Sequence, residues 1–351
     1  MTDRRPGGRT PSRPTRSFRF LPPVPGIVRG PARLPLAVKA IGLTTFGGPD
    51  VLRELELPTS EAGPDEVRIR VHAAAVNPTD VMLRTGGHAV RMPDVPPPFV
   101  PGMDAAGVID QIGPGADGRL SVGQRVVAIV MFTRPQGGAY AEHVVVPAES
   151  VVPAPAGTDH AEASTLLMNA ATARLALDTL ALPRGATVAV TGAAGAVGGY
   201  AIELAKADGL TVVADAAPHD RDLVRGFGAD HVVDRGKDVA ARVRALVPDG
   251  VAGLVDGSDQ REEAVPAVAD GGALVALRGW QGPAERGVTV TPVIVAGVRG
   301  DTALLDALRL QAEQGVLSLR VAKVLPASDA AEAHRLLAAG GLRGRPVLDF
   351  S

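Results

Sequence analysis

The stretch from Thr187 to Lys206, TVAVTGAAGAVGGYAIELAK, narrows the possible folds more than any other part of the chain. It opens on an apolar β-branched run, Thr187 to Val190, and turns through Gly192-Ala193-Ala194-Gly195-Ala196-Val197-Gly198. It then continues with Val197, Ala201, Leu204 and Ala205 at helical spacing. That order predicts a strand, a tight glycine turn and a helix. A helix start carries unpaired N–H groups and the positive end of a dipole, and glycine at 195 lets the backbone approach an anion closely. The pattern AxGxxG on Ala193, Gly195 and Gly198 is a variant of the dinucleotide fingerprint in which alanine takes the first glycine's place.

In a chain with 42 glycines such a turn can be an ordinary loop, so the downstream pattern decides. Thr211 to Asp215 reads as a second strand ending on a carboxylate, followed by a helix from about Arg221. A strand at His231 to Asp234, a helix from Asp238 to Val247, and strands at Val251 to Gly257 and Gly272 to Arg278 come next. Strands alternating with helices imply a parallel, doubly wound sheet.

Before the turn the pattern is different. Lys39 to Thr45, Leu52 to Leu57, Glu66 to Val76, Asp104 to Ile112, Gln124 to Ile129 and Gly138 to Val146 alternate apolar and polar residues between Gly/Pro/Asp punctuation, with one short helix around Pro78 to Leu83. Short strands at this spacing indicate an antiparallel barrel or sandwich. Past Pro153-Ala154-Pro155 the alanine- and leucine-rich His160 to Ala181 has helical spacing. A strand at Val288 to Val295, a helix over Asp301 to Gln314, a helix over Ser328 to Ala339 capped by Ser328, and a strand at Pro346 to Phe350 complete the chain.

At 351 residues there is room for two domains, and no apolar run is long enough to span a bilayer. The sequence has no cysteine, which excludes disulfides, thiolate metal sites and a cysteine nucleophile, and fits a reducing cytoplasm. Eight arginines face one aspartate in residues 1–36, leaving 28 of the 36 basic and 37 of the 38 acidic residues to the rest. This Pro-, Gly- and Arg-rich arm reads as a disordered basic tail. Arg4-Arg5 resembles a twin-arginine signal, but no apolar segment follows. Because globular patterning begins abruptly near Val38, the tail is expected to be an over-extended start. No nucleic-acid reading module accompanies it.

A strand-rich domain first, a nucleotide fold second and a short return at the end resemble the medium-chain dehydrogenase/reductase family, and within it the quinone oxidoreductase (zeta-crystallin-like) branch. The resemblance covers about Val38 to Phe350. Its signatures are Ala75-Val76-Asn77-Pro78-Thr79-Asp80, Val100-Pro101-Gly102-Met103-Asp104-Ala105-Ala106-Gly107, the glycine turn, Gly228-Ala229-Asp230 and Gly271-Gly272-Ala273-Leu274-Val275. It implies an α/β Rossmann domain, a doubly wound parallel sheet over residues 158–317, beside an all-β GroES-like barrel domain built from 37–157 and 318–351. It also implies hydride transfer to a quinone or an α,β-unsaturated carbonyl. Two alternatives stay open: a nucleotide-binding structural or regulatory protein with little turnover, and an enoyl reductase of biosynthesis.

Zinc-dependent relatives hold a catalytic metal through two cysteines and a histidine, and the matching places here are Asn77, Met103 and Asn169, which do not replace thiolate and imidazole. The seven histidines are scattered without metal spacing, so no metal is expected. The resemblance offers Asn77 as a donor to a substrate carbonyl, where an Asn-Pro turn stabiliser is the competing role. It offers Thr172 as a hydroxyl beside the nicotinamide, where a Thr bonded to its own helical turn is the alternative. Tyr140, placed in a strand of the barrel, and Tyr200 read as packing residues. Loops Met92 to Pro101 and Ala284 to Gly287 are expected to line the pocket.

The residue pattern divides on the dinucleotide. Asp215 ends the second strand, where a carboxylate would accept the ribose 2′-OH and repel a 2′-phosphate. That favours NAD, unless the side chain is turned away or paired with an arginine. The branch resembles NADPH users, and Arg221 and Arg235 stand nearby, with Arg235 matching a position close to the adenosine phosphate. The expectation is NADPH, with NADH possible because of Asp215. The apolar edge strand Val288 to Val295 needs covering, which implies a homodimer.

Overall fold

The computed structural model describes residues 37–116, 118–282 and 285–351. The expected tail over residues 1–36, and Ala284 of the expected pocket loop, lie outside the described residues. The chain opens with strands β1 (Ala37–Gly42) and β2 (Arg53–Pro58), an antiparallel ribbon. Next come β3 (Glu66–Ala75), helix α1 (Pro78–Arg84), β4 (Asp104–Ile112), β5 (Arg125–Ile129), β6 (His143–Pro147) and β7 (Val151–Pro153). Helices α2 (His160–Ser164) and α3 (Leu167–Leu180) lead to β8 (Thr187–Thr191), α4 (Ala196–Ala207), β9 (Thr211–Ala216), α5 (Arg221–Gly226) and β10 (His231–Asp234). Then follow α6 (Val239–Leu246), β11 (Val251–Asp256), β12 (Val268–Ala276) and β13 (Thr289–Pro292). The end is α7 (Thr302–Glu313), β14 (Val321–Pro326), α8 (Ala330–Ala339) and β15 (Arg345–Asp349).

Strands β8 to β13 form a six-stranded parallel sheet in the order β10-β9-β8-β11-β12-β13. Val188, Ala189 and Val190 are buried, as a central strand covered by helices on both faces requires. The order runs outward from β8 to β10 and then restarts beyond β8 with β11. The crevice past the carboxyl ends of β8 and β11 is therefore the switch point at which such sheets bind ligands. A seven-stranded sheet of order β14-β15-β3-β4-β5-β7, with β6 also paired to β3, carries the other layer. Its final two strands return from the far end of the chain, β15 lying antiparallel to β3 through Val347 and Ala75.

Helix α3 joins the layers. Ala170, Ala171, Ala173 and Ala176 are fully buried, and these small side chains belong to one apolar cluster with Ala75 and Met103 on one side and Val190, Tyr200 and Leu204 on the other. Four expectations change here. The single helix over His160 to Ala181 breaks at Thr165-Leu166, because the hydroxyls of Ser164 and Thr165 bond back to Ala161 O and Glu162 O. The new helix start then takes Asp104 Oδ1 as acceptor for Met168 N–H at 3.0 Å. Tyr140 lies outside any strand: the N–H groups of Gly138, Ala139 and Tyr140 bond to Val100 O, Gly102 O and Pro101 O, so β6 starts only at His143. Ser328 sits inside a one-turn 3-10 helix, Ala327–Asp329, one residue too early to cap α8. Strand β13 stops at Pro292, giving way to a single turn at Val295–Gly297.

The paired strands β3 and β4 approach closely at Gly107, where a Cβ would stand 2.0 Å from Arg70 O. Gly107→Ala is expected to destabilise the fold by about 1–3 kcal/mol or more, read as a lower urea midpoint with unchanged m value. An unchanged midpoint would contradict this register.

Candidate functional site

The switch point is built on backbone contacts that only glycine allows. Gly192 leaves β8 at φ +66°, and a Cβ there would lie 2.9 Å from the carbonyl carbon of Gly257 at the end of β11. A Cβ at Gly198 would lie 2.3 Å from Gly192 O, so α4 rests directly on the turn. Gly195 is the residue preceding the helix, with its N–H on Gly192 O at 2.9 Å. The neighbouring loop is held by Asp256, which accepts Thr191 Oγ1 (2.8 Å), Gln260 N–H (3.1 Å) and Arg261 N–H (2.8 Å). The first-turn N–H groups of Ala196, Val197 and Gly198 have no helical acceptor. With Ala194 and Gly195 half-exposed beside them, the residues present fit a diphosphate.

Asp215 lies largely buried at the end of β9. It is 4% exposed, and its Oδ1 accepts the N–H of Ala193 at 3.2 Å, under the turn. Burial pushes its pKa up, and bonds from the turn together with the charge of Arg235 oppose that shift. The carboxylate expected at the ribose therefore also supports the backbone of the turn through Oδ1. Arg221 is paired with Asp234. Arg235 is exposed, with its backbone N–H on Ala216 O at 3.1 Å, and belongs to no ion pair among the described residues.

A second polar group lies where β3, β4 and α3 meet. Asn77 Nδ2 donates to Asp104 Oδ2 at 2.8 Å and to Ala75 O at 3.4 Å, while its Oδ1 accepts Asn169 Nδ2 at 3.2 Å. Asn169 Oδ1 in turn accepts Arg345 Nη2 (2.6 Å) and Nε (3.1 Å). One step away, Asp80 accepts the N–H groups of Asn77 (2.8 Å) and Gly102 (3.0 Å) and the hydroxyl of Tyr140 (3.3 Å), which also meets His334 Nε2 at 3.2 Å. Asn77 is fully buried with its amide donors used, so it has no N–H left for a substrate carbonyl. Thr172 Oγ1 donates to Met168 O at 2.6 Å, the bond to its own turn, and keeps lone pairs for accepting.

Residues 63–156 match the model of the alcohol dehydrogenase GroES-like domain, and residues 227–348 match that of the zinc-binding dehydrogenase domain. A quinone oxidoreductase of Pseudomonas aeruginosa is 30% identical over 333 residues, 88% of this chain and 99% of that protein. The chain belongs to the medium-chain dehydrogenase/reductase superfamily, in its quinone oxidoreductase branch. An NADPH-dependent alkenal/one oxidoreductase of Arabidopsis thaliana is 34% identical over 259 residues, 72% of this chain and 65% of that protein. The crystal structure of an NAD-dependent alcohol dehydrogenase superposes with a TM-score of 0.78 at 30% identity, covering 89% of this chain and all of that one.

Asn77, Met103 and Asn169 are the residues expected at the zinc-ligand places of the zinc-dependent relatives. The two amides bond to each other and, through Asn169, to a guanidinium, and Met103 is packed in the core. Among the described residues no group of three His, Cys, Asp or Glu side chains could hold a metal. These residues do not fit zinc. Asp80, Asp104 and Arg345 were not foreseen as part of the site. Their signal was present, however, as an acid or arginine inside an apolar run, such as Phe99-Val100-Pro101-Gly102-Met103-Asp104-Ala105-Ala106.

Burial pushes the Asp104 carboxyl up to about 7 and that of Asp80 up to about 6. A carboxyl with a folded pKa above its unfolded value of about 3.9 adds stability that is present below the unfolded pKa and lost as pH rises through the folded one. His334, pushed down by burial to about 3, and His160, to about 4, act with the opposite sign, losing stability as pH falls. Substituting Asp104 isolates one sign. Asp104→Asn is expected to cost about 1–3 kcal/mol at pH 5, with the gap to wild type narrowing by pH 8 in urea melts; a widening gap would contradict the assignment.

Proposed function

We propose that this chain is a zinc-independent, NADPH-dependent reductase that delivers hydride to a quinone or an α,β-unsaturated carbonyl. The reading rests on one observation: a glycine turn at the switch point, leading into a helix start that no side chain caps and whose first-turn N–H groups have no helical acceptor. The quinone oxidoreductase and the alkenal/one oxidoreductase among its relatives support the choice of acceptor. NADPH, when bound, supplies the hydride. The residues of the chain bind and orient: Ala194 to Gly198 receive the diphosphate, Thr172 accepts a hydrogen bond at the nicotinamide end, and Asn77 with Asp104 holds the wall of the cleft. Asn77, Met103 and Asn169 offer no ligand set for a Lewis acid, and a quinone or enone accepts hydride without one.

For the adenosine end, the burial of Asp215 removes the carboxylate that would repel a 2′-phosphate. Exposed Arg235, beside the end of β9, is the cation that would meet it. Asp215 then supports both dinucleotides equally through the turn. We place the enzyme in the cytoplasm, in keeping with its lack of cysteine, and as a homodimer through β13, the edge strand of the parallel sheet. That edge presents unpaired backbone groups next to half-exposed Ile294. A dimer mass in light scattering at micromolar concentration is expected; a monomer mass would remove this part.

The test of function is a steady-state screen of quinones and enones with each reduced dinucleotide, with and without a chelator. Turnover with NADPH that the chelator leaves unchanged is expected. Saturable binding without turnover on any acceptor would favour the non-enzymatic alternative, and tighter NADH by tenfold would overturn the cofactor. Asp215→Ala is expected to weaken NADPH and NADH alike, by about tenfold for a lost charge-assisted bond. A change confined to one dinucleotide would put the carboxylate back at the ribose.

A further inference from the structure

The helix that follows the turn carries one glycine that the fingerprint does not require. Gly199 is the fourth residue of α4, and glycine inside a helix is among the least favourable choices. The reason lies in another part of the chain: a Cβ at Gly199 would stand 2.2 Å from Nη2 of Arg320. Arg320 immediately precedes β14, yet its Nη2 donates to Gly195 O at 3.2 Å and Ala196 O at 2.9 Å, the carbonyls at the start of α4. Its guanidinium carbon lies 4.3 Å from the ring centroid of Phe227 and 5.6 Å from that of Tyr200. Two of its nitrogens, Nε and Nη1, are buried without a partner.

A cation at the positive end of a helix dipole, with donors unanswered, is an unfavourable arrangement taken alone. Glu203 attracts it but is hydrogen-bonded to Ser318 and makes no ion pair with it. An anion resting on the first-turn amides would relieve that repulsion, because charges act strongly across a poorly hydrated interior. We propose that Arg320 is a positioning residue for the dinucleotide diphosphate, tying the start of α4 to the segment entering β14 and adding buried positive charge beneath the anion site, with Gly199 as the gap that admits it. This rests on the reading of the turn as a dinucleotide site.

Wild type, Arg320→Ala, Arg320→Lys, Gly199→Ala and the Gly199→Ala/Arg320→Ala pair are compared by apo melting temperature, by NADPH titration and by kcat at saturating NADPH. Arg320→Ala is expected to raise the NADPH Kd about tenfold, to leave kcat within twofold, and to reduce the thermal shift that NADPH produces, with Arg320→Lys recovering part of the affinity. Gly199→Ala is expected to lower the apo melting temperature in wild type and to raise it in the Arg320→Ala background, where the clash is gone and only the gain in helix propensity remains. Equal NADPH affinity in wild type and Arg320→Ala overturns the positioning role alone. Loss of stability on Gly199→Ala in both backgrounds overturns the role of Gly199 as the gap. A wild type that binds neither dinucleotide overturns the proposed function and the positioning role with it, while the apo melting temperatures still report on the contact.

Discussion

Asp104 lies in a strand whose neighbours Met103, Ala105 and Ala106 are buried, and a carboxylate in such surroundings is unfavourable by several kcal/mol unless hydrogen bonds surround it. The bonds it receives come from Asn77, after β3, and from Met168 N–H in the first turn of α3. Satisfying this one group therefore fixes where α3 begins, and α3 carries the apolar cluster that joins the two sheets. Asn169, one residue further along, completes the chain of contacts to Arg345, which starts the last strand. Four distant stretches of sequence meet at one acid.

The nucleotide side depends on a different economy of space. Gly192, Gly198 and Gly257 bring the ends of β8 and β11 and the base of α4 into backbone contact, so no side chain stands between the strand and the helix start. Asp215 then supports the turn from below, a role that follows from its inward direction on β9 and from the free N–H of Ala193. The arrangement leaves the first-turn amides as the group offered to a ligand. Arg343 adds a related tie: it reaches from the loop before β15 to buried Asp220, next to the strand that ends in Ala216.

The same geometry explains why the acid at the end of the second strand is an unreliable guide to the dinucleotide here. A carboxylate discriminates between a ribose hydroxyl and a phosphate only if it faces them, and a strand alternates its side chains between faces. Arg221 is likewise engaged, with Asp234, leaving Arg235 as the exposed cation beside the end of β9. At the places expected to match zinc ligands the side chains are amides and a thioether, with a guanidinium bonded to Asn169.

Periodicity and glycine placement determined most of the architecture by themselves. The strand, turn and helix around Gly195, the alternation that follows, and the short strands before it depend on local conformational limits and on apolar patterning, both written directly in the order of residues. The tertiary structure alone decided which way Asp215 points, that the helix after His160 breaks at Thr165, that Asn77 spends its amide on Asp104, and that Arg320 lies against Gly199. Each of these involves a partner well outside the local turn, from 22 positions away for Asp215 and Ala193 to 124 for Arg320 and Ala196, and a hydrogen bond or a steric gap at such separations leaves no local period for a sequence to display.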